Sequence, residues 1–278
     1  MFKHLIILVT LIGFLANCGR KSTFTETSLD ILKVEGTTLE TRFSVPEGYT
    51  RLEADSNSFT HYLRSIPLKK HGSLVKYYNG ASKPDNAYCA VVDLAISKRD
   101  LHQCADAVMR LRAEYLFQQK KHSEISFTLM NGFKMNYSKW MEGYRVSVKG
   151  NSTSWYKAYA PTNRYGDLQN YLEFVYTYAG SLSLSKMLKE KKIDEITPGD
   201  VFILGGSPGH AVTVMDVATN EAGKRIFILS QSYMPAQETQ ILKNFNNSSM
   251  SPWFEIPTNG TLETPEWTFK TTQLKTWQ

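Results

Sequence analysis

The chain is poor in cysteine. Three in 278 residues are too few for a disulfide-built scaffold. Ten prolines and 17 glycines are too few for a collagen-like or low-complexity protein. No apolar run reaches the roughly 20 residues that a membrane-spanning helix needs. The spacings of a His-Glu-x-x-His zinc helix, an EF-hand loop and a phosphate loop are all missing, so no metal or nucleotide cofactor is implied. A net charge of +6 raises the question of nucleic acid. The basic residues are scattered, however, and interrupted by acids. The densest runs, Lys69-Lys70 and residues 189–192 (broken by Glu190), read as solvated faces and not as a nucleic-acid footprint.

With 42% hydrophobic and 21% charged residues, the chain is globular and long enough to bury a real core. Its start is different. Met1 to His4 carry one Lys and no acid, residues 5–15 are almost all apolar, and Leu15-Ala16-Asn17-Cys18-Gly19 follows. That pattern is a secretory signal peptide. Cys18 after Leu-Ala-Asn resembles the lipobox of bacterial lipoproteins, with Asn17 at the position of the usual small residue. The resemblance implies acylation of Cys18 and a lipid anchor in a membrane of the cell envelope. The plain alternative is a secretory signal with an incidental Cys. Residues 18–40, rich in Thr, Ser, Lys and Glu, read as a flexible tether. With no later composition break and no repeat, residues 41–278 read as one domain.

Within it the patterning is mixed α and β. Residues 56–66 form a short helix candidate with Ser56 as cap and Pro67 as stop. Residues 74–78 and 88–96 are β-rich runs expected to pair. Leu101, Cys104, Ala105, Val108, Leu111, Tyr115 and Leu116 recur at three- and four-residue steps, which predicts a helix with one buried stripe. Asp100 as N-cap with Gln103 three residues on matches a capping box. Residues 125–148 suggest a strand pair around Asn131-Gly132, residues 167–189 a second helix, and residues beyond 200 a strand-rich end.

The chemistry candidates are a cysteine and a histidine. Cys104 lies in the first turn of the long helix, where unpaired N–H groups and the helix dipole favour thiolate, the nucleophilic form. It also fits the apolar stripe as a small core residue, or a disulfide with Cys89. His210 opens a β-branched run, residues 210–217. A turn containing Asn220 and Gly223 joins it to a second strand, residues 225–231. A hairpin whose partner numbers sum to 441 or 442 puts His210 opposite Gln231 or Ser232, within reach of a polar partner that fixes its tautomer. A histidine bonded to a loop carbonyl is the bland alternative. Gly205-Gly206-Ser207-Pro208-Gly209 satisfies the Gly-x-Ser-x-Gly elbow pattern. Pro208 has no N–H to donate and a strand follows, so Ser207 is not a nucleophile; the glycines read as points of close backbone approach.

Thr197-Pro198-Gly199-Asp200-Val201-Phe202-Ile203 and Gly209-His210-Ala211-Val212-Thr213-Val214 resemble the Gly-Asp and Gly-His-Val strands of papain-like cell-wall amidases of the CHAP and NlpC type. Cys104, His210 and Gln231 then match nucleophile, base and orienting residue. Ala105-Asp106 stand where the NlpC type has Ser-Gly. The resemblance implies an α+β, papain-like fold, with a central antiparallel sheet against a Cys-bearing helix plus inserted strands and helix. It implies hydrolysis of peptidoglycan-like amide bonds. The alternative is a non-catalytic envelope lipoprotein that binds glycan or protein. Residues 104–115, 205–212 and 231–237 also resemble an uncharacterised family of bacterial lipoproteins known only as a domain of unknown function. Arg110 and Glu114 read as an ion pair or solvated face. The tryptophans and 15 tyrosines line a groove or fill core.

Overall fold

The computed structural model describes residues 31–84 and 87–278. The expected signal peptide, Cys18 and the expected tether up to residue 30 lie outside the described residues. Residues 31–40, expected as tether, are packed. Leu32 bridges Phe43 and Thr38 bridges Pro67, and Leu39 is fully buried, because this segment carries apolar side chains that the first core accepts.

Among the described residues there are six α-helices: α1 (Leu39–Arg42), α2 (Phe59–Ser65), α3 (Cys104–Gln118), α4 (Tyr137–Met141), α5 (Tyr165–Tyr178) and α6 (Ser181–Met187). The strands are β1 (Tyr49–Arg51), β2 (Tyr88–Val91), β3 (Ser126–Thr128), β4 (Lys134–Asn136), β5 (Tyr144–Lys149), β6 (Ser152–Lys157), β7 (Lys189–Glu190), β8 (Val201–Leu204), β9 (His210–Asn220), β10 (Arg225–Gln231), β11 (Gln240–Leu242), β12 (Trp253–Glu255), β13 (Thr261–Glu263), β14 (Thr268–Lys270) and β15 (Leu274–Thr276). The class is α+β with a large antiparallel sheet. Its order is β2-β11-β10-β9-β8-β15-β7, with β1 added to β9 and β12 to β10.

The β9–β10 hairpin is the centre of this sheet, and both of its faces are covered. Ala211, Met215 and Ala218 enter the core that includes α3, whereas Val212, Val214 and Val217 enter a second core with Phe202, Phe227 and Phe269. Such two-sided burial explains why the strand is almost continuously apolar and not alternating. A bulge at Met215-Asp216 switches the faces and sets Asp216 toward α2. There it accepts hydrogen bonds from Arg64 Nε at 2.7 Å and Arg51 Nε at 2.6 Å, pinning α2 and β1 to the sheet.

Several expected boundaries shift. Ser58, not Ser56, caps α2 by accepting the His61 N–H. Residues 74–78 do not pair with β2. β2 pairs with β11, while Lys76 and Tyr77 make isolated bridges to Ser82 and Gln237. The hairpin around Asn131-Gly132 is present as β3–β4, but Val148 belongs to a separate hairpin, β5–β6. The second helix is two, broken at Ala179-Gly180, where the extended backbone of Gly180 caps α6.

Candidate active site

The long helix begins at Cys104, later than the expected Asp100. Gln103 is the N-cap, and Asp106, three residues on, accepts its N–H at 3.0 Å. Asp100 instead accepts the Ala236 N–H at 2.7 Å, which ties the approach to the helix to the loop after β10. Cys104 is therefore the first helical residue. It is half-buried and free, as is Cys89, so no disulfide joins them.

The expected lowering of the thiol is overturned. Burial pushes Cys104 up to about 11, outweighing the backbone amides of Ala211, Ala105 and Cys104 itself, which favour thiolate. The N-terminal effect of the helix exists, but loss of hydration is the larger quantity.

His210 opens β9. It is 1% exposed, and its Nε2 lies 2.8 Å from Gln231 Oε1. The expected pair is thus formed, by a different register. Partner numbers sum to 444 along Arg225↔Thr219 to Ile228↔Asp216, and to 443 past the bulge. Continuing that register sets Gln231 opposite Val212, diagonal to His210, and its length closes the distance. Ser232 plays no part in orienting His210. Its hydroxyl donates toward the carbonyls of His102 and Gln237 at 2.8 and 2.7 Å.

Behind Gln231 stands a chain that the sequence reading missed. Gln231 Nε2 donates to Glu266 Oε2 at 2.5 Å, and the buried Lys83 Nζ is 2.6 Å from the same oxygen. A carboxylate only accepts, so Glu266 holds the amide nitrogen and turns Oε1 toward the ring. The imidazole then carries its proton on Nε2, leaving the Nδ1 lone pair available. Burial pushes His210 down to about 4, against the Gln231 hydrogen bond, with Lys83 adding to the fall. Trp267 and Tyr233 flank the ring at centroid distances of 5.2 and 4.8 Å. Nothing in local spacing links Lys83 and Glu266 to a site more than thirty residues away; only the fold does.

Cys104 and His210 line one cleft of about 640 Å³, together with Asp106, Tyr233 and Trp267. Strand alternation sends Ala211 toward α3 and His210 toward the second core. His210 is the first residue of β9 and pairs with Leu204, the last of β8. Among the described residues no hydrogen bond joins thiol and imidazole, and burial favours the neutral form of each.

Gly205 and Gly209 allow the close approach expected of them. A Cβ on Gly209 would stand 2.4 Å from Gly206 O and 2.5 Å from Ser181 Oγ, and one on Gly205 would stand 3.1 Å from Leu182 Cα. Ser181 on α6 also hydrogen-bonds Gly206 N and O at 3.3 and 3.2 Å, fixing the loop that delivers His210. Ser207 lines the cleft but is followed by β9, not by a helix. Arg110 and Glu114 form a buried pair at 3.3 Å.

Fold and cleft together define an α+β protein in which a helix-opening cysteine and a buried, amide-oriented histidine share one cavity. Residues 39–276 match the family described as Domain of unknown function (4846), and the chain belongs to that family. No curated protein and no solved structure matches it.

Proposed function

We propose that the protein is a papain-like cysteine hydrolase of the bacterial cell envelope, anchored through a lipid on Cys18 and cutting amide bonds of peptidoglycan-like material. The observation that carries this reading is the His210–Gln231–Glu266 chain, whose histidine lines the same cleft as Cys104. A buried imidazole with a fixed tautomer, its free nitrogen on the side away from its orienting partner, is what a general base for a thiol requires. In this mechanism His210 Nδ1 takes the Cys104 proton as sulfur attacks the carbonyl carbon. The Cys104 N–H, in the first turn of α3, steadies the oxyanion. Collapse expels the amine, which leaves with the proton from the imidazolium. A water, deprotonated by the same nitrogen, then hydrolyses the thioester and restores the thiol.

Burial that favours the neutral thiol and the neutral imidazole supports a second reading: an envelope protein that keeps this fold to bind glycan or protein without turnover. Incubation with peptidoglycan fragments, followed by quantification of new amino groups, separates the two. The hydrolase releases amines, and Cys104→Ala and His210→Ala each release none. Equal background from all three proteins rejects the hydrolase and leaves the binding module.

A further inference from the structure

The positive charge that is scattered along the sequence gathers on one small sheet. Between Glu124 and Asp167 stand Lys134, Lys139, Arg145, Lys149, Lys157 and Arg164, against a single acid, Glu142. Four of these cations lie on α4 and the β5–β6 hairpin. That hairpin is a sheet of its own, apart from the large one. Its pairing sets Val146 opposite Trp155, and Val146, Val148 and Trp155 pack against the first core. Alternation sends Lys149, Ser154 and Tyr156 to the opposite face, where all three are exposed.

The cations here are held by rings and carbonyls, not by carboxylates. Lys139 Nζ and Lys157 Nζ each stand 5.1 Å from the centroid of the Tyr144 ring, and Lys157 also donates to the carbonyl of Glu142. Arg145 lies 4.0 Å from the Trp140 ring centroid and 4.8 Å from that of Tyr159. Asp167 answers Arg164 at 3.9 Å and Arg145 at longer range. Lys139, Lys149 and Lys157 have no carboxylate partner among the described residues. Two ammonium groups on one ring, with no carboxylate to offset them, leave a field that attracts anions.

The surroundings narrow the class of anion. Tyr156 and Tyr159 are 50% and 61% exposed, and such amphipathic rings rest favourably where an apolar layer meets water. A protein partner is disfavoured, because interface cores are depleted in lysine. A nucleic acid stacks its bases on open ring faces, whereas Tyr144 and Tyr159 already carry cations on theirs. The headgroup layer of an anionic lipid surface attracts lysine and accepts tyrosine among its phosphates.

We propose that the β5–β6 hairpin is the surface by which this protein docks on an anionic phospholipid membrane, with Lys139, Lys149 and Lys157 meeting the phosphates and Tyr156 and Tyr159 seated between them. This rests on the envelope part of the proposed function and not on hydrolysis at Cys104. The test is lysine footprinting of the full chain. An acetylating N-hydroxysuccinimide ester labels it beside vesicles of phosphatidylglycerol or of phosphatidylcholine, and peptide mapping reads each lysine. Phosphatidylglycerol slows labelling of Lys149 and Lys157 at least about fivefold, and ~0.5 M salt removes the protection. Lys189 and Lys192 stay unprotected, and phosphatidylcholine protects none of the four. Lys139→Gln with Lys157→Gln removes the protection of Lys149. Lys189→Gln with Lys192→Gln subtracts the same charge and keeps it. Cys104→Ala leaves the footprint unchanged, so loss of the hydrolase and loss of the docking surface are read separately. No protection by phosphatidylglycerol, equal protection of Lys189 and Lys192, or protection by soluble polyphosphate without protection by vesicles overturns the proposal.

Discussion

His210 Nε2 and Gln231 Oε1 stand 2.8 Å apart, and the direction of that bond is set from outside the pair. Glu266 takes the amide nitrogen at 2.5 Å and is itself held by Lys83 at 2.6 Å. An amide turned the other way would set its oxygen against the Glu266 carboxylate, two acceptors face to face. One proton position on the imidazole is thereby selected.

The consequence is visible by nitrogen NMR of the His210 ring. The parent protein shows the Nε2–H tautomer at neutral pH and titrates near pH 4, the position to which burial moves it. Glu266→Leu releases the amide, so Gln231 turns and both tautomers populate. Gln231→Glu puts a carboxylate beside the ring and raises its midpoint by at least about one unit, since an opposite charge within hydrogen-bond distance favours the imidazolium. A midpoint unmoved by Gln231→Glu contradicts the bond itself.

Acid stability carries a second expectation, because buried groups of opposite sign share this end of α3. His210 and His102 are lowered by burial to about 4 and about 3. The unfolded chain therefore binds more protons than the native one below pH 6.5, and each histidine removes about 2 kcal/mol of stability between pH 7 and pH 5. Asp106 works the other way. Burial holds its carboxyl well above the usual range, so it adds stability at low pH that is lost as pH rises through its native value. Asp106→Asn deletes this opposing contribution. The variant loses about 4 kcal/mol from pH 7 to pH 5 by urea unfolding, and the parent loses measurably less. Parallel acid limbs for the two proteins mean that Asp106 is ionised throughout.

The legible part of this structure was the part written in short-range patterns. The stripe from Cys104 to Leu116 is α3, the run from His210 is β9, and Asn131-Gly132 is a hairpin turn. The family resemblance was also legible, since residues 39–276 match it. What failed needed three dimensions. The turn sets partner sums of 444 instead of the expected 441 or 442, and the bulge at Met215-Asp216 brings them to 443, where Asp216 is held by Arg64 and Arg51, more than 150 residues upstream. Residues 74–78 looked like a partner for β2, but the β2 edge was taken by β11. The helix start predicts a more acidic thiol at Cys104, and burial, which a sequence does not display, is the larger effect. Glu266 and Lys83 had no local signature at all.

The two free thiols offer the last expectation. Burial raises Cys89 to about 12, with Lys243 opposing, and Cys104 to about 11. Cys89 points into the sheet, with Sγ 3.6 Å from Ile241 O, whereas Cys104 lines the cleft. Thiolate is the reactive form, so iodoacetamide labels the native protein slowly near pH 7 and faster as pH rises toward about 11. Peptide mapping locates the first label on Cys104, with Cys89 modified only after denaturation. A ligand seated in the cleft slows the Cys104 reaction and leaves its pH dependence intact. Rapid labelling of Cys104 well below pH 8 indicates a pre-formed thiolate–imidazolium pair and a thiol–imidazole contact closer than this structure holds. Labelling of Cys89 first contradicts the placement of both cysteines.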